Sequence, residues 1–256
     1  MKCAVITGAS SGIGLECAKI VAQGNLFEVD KIFLLARRKE KMENLSYQLK
    51  KETQIVACDV SKDEDINKFA DILKEEAPQI TLLVNSAGFG KNGEFSNILP
   101  YDNVNMIDVN CRGLTAMTQI CLGYMKAGAK ILNISSVAGF APLAKFAVYG
   151  ATKAFVTSFS VGLSVELEQR GISVTICAPG SVDTEFHKIA RGDTGIVKKL
   201  YSAKAPVEKV ALLALQDTAK GKLFSSYGFG AKIARLFGGI VPKRAFAKFS
   251  YENVYA

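Results

Sequence analysis

Along the chain, short runs that are apolar at nearly every position alternate with longer stretches whose apolar residues recur every three to four positions. The runs are CAVIT (3–7), KIFLLA (31–36), QIVAC (54–58), TLLVN (81–85), KILNIS (130–135) and ISVTIC (172–177), and they predict strands. The stretches between them, near 13–23, 39–51, 63–75, 102–126 and 149–169, predict helices. Strands that lack a polar face and are separated by helices form parallel sheets covered on both sides. The expected fold is therefore α/β, a doubly wound parallel sheet of about seven strands in a single domain, 1–256.

Beyond Thr184 the alternation loosens. Segment 185–205 is expected to lie over the mouth of the sheet and cover the substrate, and a helix near 206–220 leads to a seventh strand, KLFSS, at 222–226. The C-terminal extension, 227–256, is basic and amphipathic: Ile233, Leu236, Phe237, Ile240 and Val241 fall at helical spacing, with Lys232 and Arg235 off that face. Gly238, Gly239 and Pro242 weaken or end such a helix. Three roles for this piece stay open: packing on its own domain, covering a pocket, or peripheral membrane contact.

Composition narrows the function classes. With 49% hydrophobic and 22% charged residues the chain reads as an ordinary enzyme, and no apolar run approaches the roughly 18 to 20 residues of a membrane helix. Strand CAVIT follows directly on Met1 and Lys2, so no signal peptide is expected and a cytoplasmic address follows. Cysteines 3, 17, 58, 111, 121 and 177 are scattered without a CxxC pair and read as small buried apolar residues. The only histidine is His187, which excludes a multi-histidine zinc site and reads as a loop residue; no metal is expected. The net charge of +8 is confined to one end: residues 187–256 hold 13 Lys and Arg against 4 Asp and Glu. Such asymmetry suits an anionic membrane surface, an acidic substrate or a solvated tail, and no nucleic-acid partner is expected.

Chemistry enters at the first crossing from strand to helix, TGASSGIG, with Gly8, Gly12 and Gly14. Glycines let backbone approach a pyrophosphate, which the free N–H groups of the helix start attract. An acid about 20 residues on would grip a ribose 2′-hydroxyl, but the end of the second strand carries Ala36 and then Arg37 and Arg38. Two cations in that place favour a 2′-phosphate, hence NADP(H) over NAD(H). Farther on, Tyr149 and Lys153 stand one helical turn apart, with Ser136 upstream. An ammonium on the same helix face would stabilise a phenolate.

Together, TGASSGIG (7–14), NSAG (85–88), VNCRG (109–113), NISS (133–136), YGATK (149–153) and PGSVDT (179–184) resemble, in order and spacing, the short-chain dehydrogenase/reductase family. The resemblance spans residues 3–184 and departs at Ser86, where a second Asn is usual. It implies a Rossmann-type fold and a catalytic set of Asn110, Ser136, Tyr149 and Lys153. Tyr149 would exchange the proton, Lys153 would lower its pKa and hold the nicotinamide ribose, Ser136 would bond the carbonyl oxygen, and Asn110 would hold a water linking Lys153 to solvent. The cofactor would be held by Gly8, Ser10, Ser11, Gly12, Ile13 and Gly14, by Asp59 and Val60 at the adenine, and by Asn85, Ala87 and Gly88 beside the adenosine ribose. Pro179, Gly180, Val182 and Thr184 would hold the carboxamide. Homo-oligomers through the helices carrying Asn110 and Tyr149 are implied in the same way.

Phe89, Val137, Phe140, Leu143, Phe146 and Phe186 flank these motifs and, with Ser136 and Tyr149, are expected to line an apolar substrate pocket suited to a ketosteroid, a long acyl ketone or a similar carbonyl. The expected activity is NADP(H)-dependent oxidoreduction of a carbonyl or secondary alcohol. The alternative is a nucleotide-binding sensor or scaffold of the same fold without turnover.

Overall fold

The computed structural model describes residues 1–191, 204–238 and 240–253. Seven parallel strands, β1 (Lys2–Thr7), β2 (Lys31–Ala36), β3 (Glu52–Ala57), β4 (Gln79–Asn85), β5 (Met125–Ile134), β6 (Ser173–Cys177) and β7 (Phe224–Ser225), lie in the order β3-β2-β1-β4-β5-β6-β7. The order reverses between β1 and β4, and the carboxyl ends of those two strands open a crevice of the kind that binds ligands in such sheets. The doubly wound parallel sheet expected from the apolar runs is thus present.

Alternate residues of each strand serve opposite layers. Ala4, Ile6, Leu34, Val84 and Leu132 pack beneath α1 (Gly12–Ala22), α2 (Lys39–Gln48) and, later in the chain, α8 (Val207–Ala219). Cys3, Val5, Phe33, Leu83 and Ile131 face α3 (Asp63–Glu76), α5 (Leu114–Leu122) and α6 (Ala147–Glu166). All six residues of β2 are buried, so its run KIFLLA is apolar because it has no solvent side. Lys31 at its start is the exception, and its ammonium reaches Glu76 at 2.7 Å.

The largest departure from the sequence pattern is at 102–126. A single helix was expected there; the chain instead forms α4 (Pro100–Ile107), a π turn over Asp108–Gly113, and α5, and it is already in β5 at Met125. Apolar spacing continues through Met117, Cys121 and Met125, so periodicity alone does not register Gly123 as the stop. Smaller shifts are physical as well. The helix expected to 169 ends at Glu166 and closes through a 3₁₀ turn onto Gly171, in the left-handed region at φ 64°.

The C-terminal extension is two helices, α9 (Phe229–Phe237) and α10 (Lys243–Asn253), divided at the glycine-proline stretch that was expected to end a helix. A short helix, α7 (Phe186–Arg191), opens the segment 185–205; residues 192–203 of that segment lie outside the described residues. Among the described residues no helix is long and apolar enough to cross a membrane. All six cysteines are buried and free.

Candidate active site

Two glycines bring the backbone of the first crossing against β4. Gly8 has φ +69°, and a Cβ there would lie 2.8 Å from the Ala87 nitrogen. One at Gly14 would lie 2.5 Å from the Gly8 carbonyl oxygen, so α1 can start this close to β1 only without a side chain. The Thr7 hydroxyl oxygen accepts from the N–H groups of Ser86 (3.0 Å) and Ala87 (3.1 Å), tying the two strand ends together.

Over these ends runs a continuous cleft of about 970 Å³. Of the expected cofactor residues, it is lined by Gly8, Ser10, Ser11, Gly12, Ile13, Arg37, Arg38, Asp59, Val60, Ala87, Gly88, Tyr149, Lys153, Pro179, Gly180, Val182 and Thr184. Gly14 sits behind it, and Asn85 faces away. The Asn85 amide donates to Thr118 Oγ1 and Asn133 Oδ1, both at 2.9 Å, within the core between β4, β5 and α5. A dinucleotide suits this groove: Ser11, the N-cap of α1, makes no side-chain capping bond, which leaves the helix start available to an anion.

Arg38 organises the rim. Its guanidinium donates to Ser10 Oγ (3.1 and 3.2 Å), to Ser11 Oγ (2.8 Å) and to Glu185 (2.8 Å). Lys41 reaches the other Glu185 oxygen at 2.6 Å. These hydrogen bonds from Lys41 and Arg38 hold the Glu185 carboxyl down at about 2. Glu185, just ahead of α7, is thereby fastened to the start of α2 at the rim of the groove. Nothing in the residue pattern singles out Glu185 or Lys41, because their pairing spans 144 positions of sequence.

At the other end of the cleft, α6 presents Tyr149 and Lys153. Tyr149 is 7% exposed, wedged between the rings of Phe146 (4.6 Å) and Phe186 (5.3 Å). Lys153 is 6% exposed; its Nζ lies 5.8 Å from the Tyr149 ring centre and donates to the Ile134 carbonyl at 2.8 Å. Burial lowers its pKa from 10.5 to about 8. Ser136, next to β5, accepts from the Ala138 N–H at 3.2 Å, which leaves its own hydroxyl proton free to aim into the cleft.

Asn110 is not in the cleft wall. It lies in the π turn, where its Oδ1 accepts from the Phe89 N–H (3.0 Å) and its Nδ2 donates to the Phe89 carbonyl (2.9 Å) and Thr152 Oγ1 (3.0 Å). Such turns break the regular ladder and are frequent at functional sites. A Cβ on Gly88 would lie 3.0 Å from Asn110 Oδ1 and 3.4 Å from Lys153 Nζ, so both atoms face one point.

Val137, Leu143, Phe146 and Phe186 line the substrate end of the cleft, as does Phe89. Phe140 does not: it packs on Phe224 at 6.2 Å, and a Cβ on Gly238 would meet its Cβ at 2.7 Å. Residues unmarked by any motif complete the wall, among them Tyr227, Ala231 and Ala234. The side chain of His187 is outside the described residues.

Comparison with known proteins identifies the family. The family model for short chain dehydrogenase matches residues 2–194. An uncharacterized oxidoreductase of Staphylococcus epidermidis is 35% identical over 187 residues, 72% of this chain and 79% of that protein. A short-chain dehydrogenase from Sphingobium yanoikuyae in complex with NADPH superposes with a TM-score of 0.78 at 28% identity, covering 100% of this chain and 97% of that one. A 3-ketoacyl-(acyl-carrier-protein) reductase from Brucella melitensis complexed with NADH gives 0.76 at 25% identity, covering 88% and 96%.

The lowered lysine gives a test with a definite sign. An unfolded chain keeps a lysine proton to about 10.4, whereas the folded chain releases this one near 8. Between those values the unfolded state binds more protons, so stability through Lys153 rises with pH there and is least below 8. Urea midpoints of the native chain should therefore climb, relative to Lys153→Met, from pH 8 to pH 10. Parallel pH curves for the two proteins would show that the ammonium is not held at a cost.

Proposed function

The chain belongs to the short-chain dehydrogenase family, and we propose that it is an NADP(H)-dependent oxidoreductase acting on the carbonyl or secondary alcohol of an apolar substrate. The observation that carries this reading is a buried ammonium, Lys153, set 5.8 Å from the ring of a buried phenol, Tyr149, at the end of a dinucleotide-sized groove.

Bound NADP(H) would supply or take up the hydride at the substrate carbon. As a carbonyl is reduced, charge grows on its oxygen, and the Tyr149 hydroxyl donates a proton to it. The phenolate left behind is stabilised by Lys153, whose charge acts at short range because both side chains are buried. Ser136 donates its free hydroxyl proton to the same oxygen and fixes the carbonyl's orientation. In oxidation the roles of Tyr149 reverse. Asn110 acts as a positioning residue: it fixes Phe89 and Thr152, and its Oδ1 and the Lys153 Nζ both lie close to Gly88, which supports a water held between them as the route by which the ammonium would regain its proton.

The cofactor would lie from Ser10, Ser11 and Arg38 to Tyr149 and Lys153. The Sphingobium protein carries NADPH and the Brucella reductase NADH, so the preference rests on this chain's own residues. Ala36 ends β2 without an acid, and the exposed Arg37 and the Ser-bonded Arg38 follow on the rim. Two planar guanidinium groups there support a 2′-phosphate. Phe89, Leu143, Phe146 and Phe186 support an apolar substrate. Exposed Tyr101, Val104 and Ile107 on α4 and Phe155 and Val165 on α6 support self-association through those helices.

Two substitutions test this. In Tyr149→Phe, NADPH binding should persist while kcat for carbonyl reduction falls by roughly 10²- to 10⁴-fold. If the native protein binds NADPH yet oxidises it with no carbonyl, the scaffold reading takes its place. In Arg37→Asp, the Kd for NADPH should rise by about ten-fold or more while that for NADH stays level or falls; an unchanged ratio would refute the 2′-phosphate assignment.

A further inference from the structure

Helix α9 buries Ala231 and exposes the large residues Phe229, Ile233 and Leu236. At about 100° per residue, Phe229, Ile233 and Leu236 share one side, and they are 79%, 40% and 61% exposed. The opposite side carries Gly230, Ala231 and Ala234, which line the cleft. Ile240, beyond the helix, is 75% exposed. A helix held only by its own domain turns its large apolar residues inward. Phe229, Ile233 and Leu236 therefore point away from the protein, while the side of the helix that meets the cleft carries glycine and alanine.

The charge along this part of the chain has nearly one sign. Residues 227–253 hold five Lys and Arg against the single acid Glu252. Lys232 is exposed on α9, and Lys243, Arg244 and Lys248 are exposed on α10. Lys243 and Arg244 also open α10, the end of a helix where a cation is unfavourable to the helix itself. A second copy of this chain would bring like charges together, which opposes pairing. An anionic bilayer takes up both features at once: its surface attracts the cations and its acyl boundary receives the aromatic and aliphatic side chains.

We propose that the outward face of α9, with the basic start of α10, docks the protein on an anionic lipid bilayer and turns the substrate end of the cleft toward it. The same helix is a wall of the cleft on its inner side, so an apolar carbonyl dissolved in the bilayer would enter beside Ala231 and Ala234. That last consequence rests on the proposed oxidoreductase activity; the docking itself does not.

The test uses the full chain with vesicles of phosphatidylcholine alone and of phosphatidylcholine mixed with phosphatidylserine. The native protein should co-sediment with the mixed vesicles and not with the neutral ones. Phe229→Ser/Leu236→Ser/Ile240→Ser should lower the bound fraction by about ten-fold or more, and Lys232→Gln/Lys243→Gln/Arg244→Gln should make the residual binding insensitive to salt. Both variants should keep the native melting temperature, NADPH affinity and turnover of a water-soluble carbonyl, because none of these side chains lines the cleft. Absence of native binding, or equal binding by the apolar variant, overturns the proposal. So does a native dimer that the apolar variant converts to monomer without any vesicle binding. Vesicle binding without turnover would leave the docking intact and count against the oxidoreductase reading alone.

Discussion

One ammonium inside the protein, that of Lys153, sets the terms for everything near it. Its partners are few: the Ile134 carbonyl at the end of β5 accepts from it, and Tyr149 stands one turn away. The backbone around it must come close. A Cβ on Gly139 would strike the Lys153 carbonyl oxygen at 2.6 Å, and one on Gly88 would stand 3.4 Å from its Nζ. The Ser135 hydroxyl donates to that same Lys153 carbonyl at 3.0 Å. A charge that burial disfavours is thus kept one helical turn from Tyr149, where the proposed mechanism needs it, and the sheet supplies the rigidity that holds it.

The fold was legible because its central strands are apolar and buried at nearly every position. Runs such as KIFLLA and TLLVN need no tertiary information to be read, and their alternation with amphipathic stretches leaves few topologies open. What the pattern could not convey was where a helix is interrupted from inside. The π turn over Asp108–Gly113 leaves the apolar spacing of α4 and α5 continuous, yet it is the turn that sends Asn110 to Phe89 and Thr152. Likewise α9 carries a regular amphipathic pattern, whose direction depends on the small residues opposite it rather than on the large ones.

At the site, residues carried by contiguous motifs were legible, and residues joined across the chain were not. The glycine turn, Arg37, Arg38, Ser136, Tyr149 and Lys153 all come to one cleft. Asn85 shares a motif with Gly88 but turns into the core, because its strand position pairs with Asn133 on β5. Phe140 follows Ser136 closely but is drawn off by Phe224 and Gly238. Glu185 is held at the rim of the groove by ion pairs to Arg38 and Lys41 that only the folded chain brings together.

The central claim is that the Lys153 charge acts on Tyr149. The most direct measurement is the ionisation of Tyr149 itself, followed by ultraviolet difference absorbance or by NMR of a labelled ring carbon, with NADP⁺ bound, in the native chain and in Lys153→Met. The account predicts that the phenol ionises at distinctly lower pH in the native chain than in the variant. Coincident titration curves for the two proteins would contradict it.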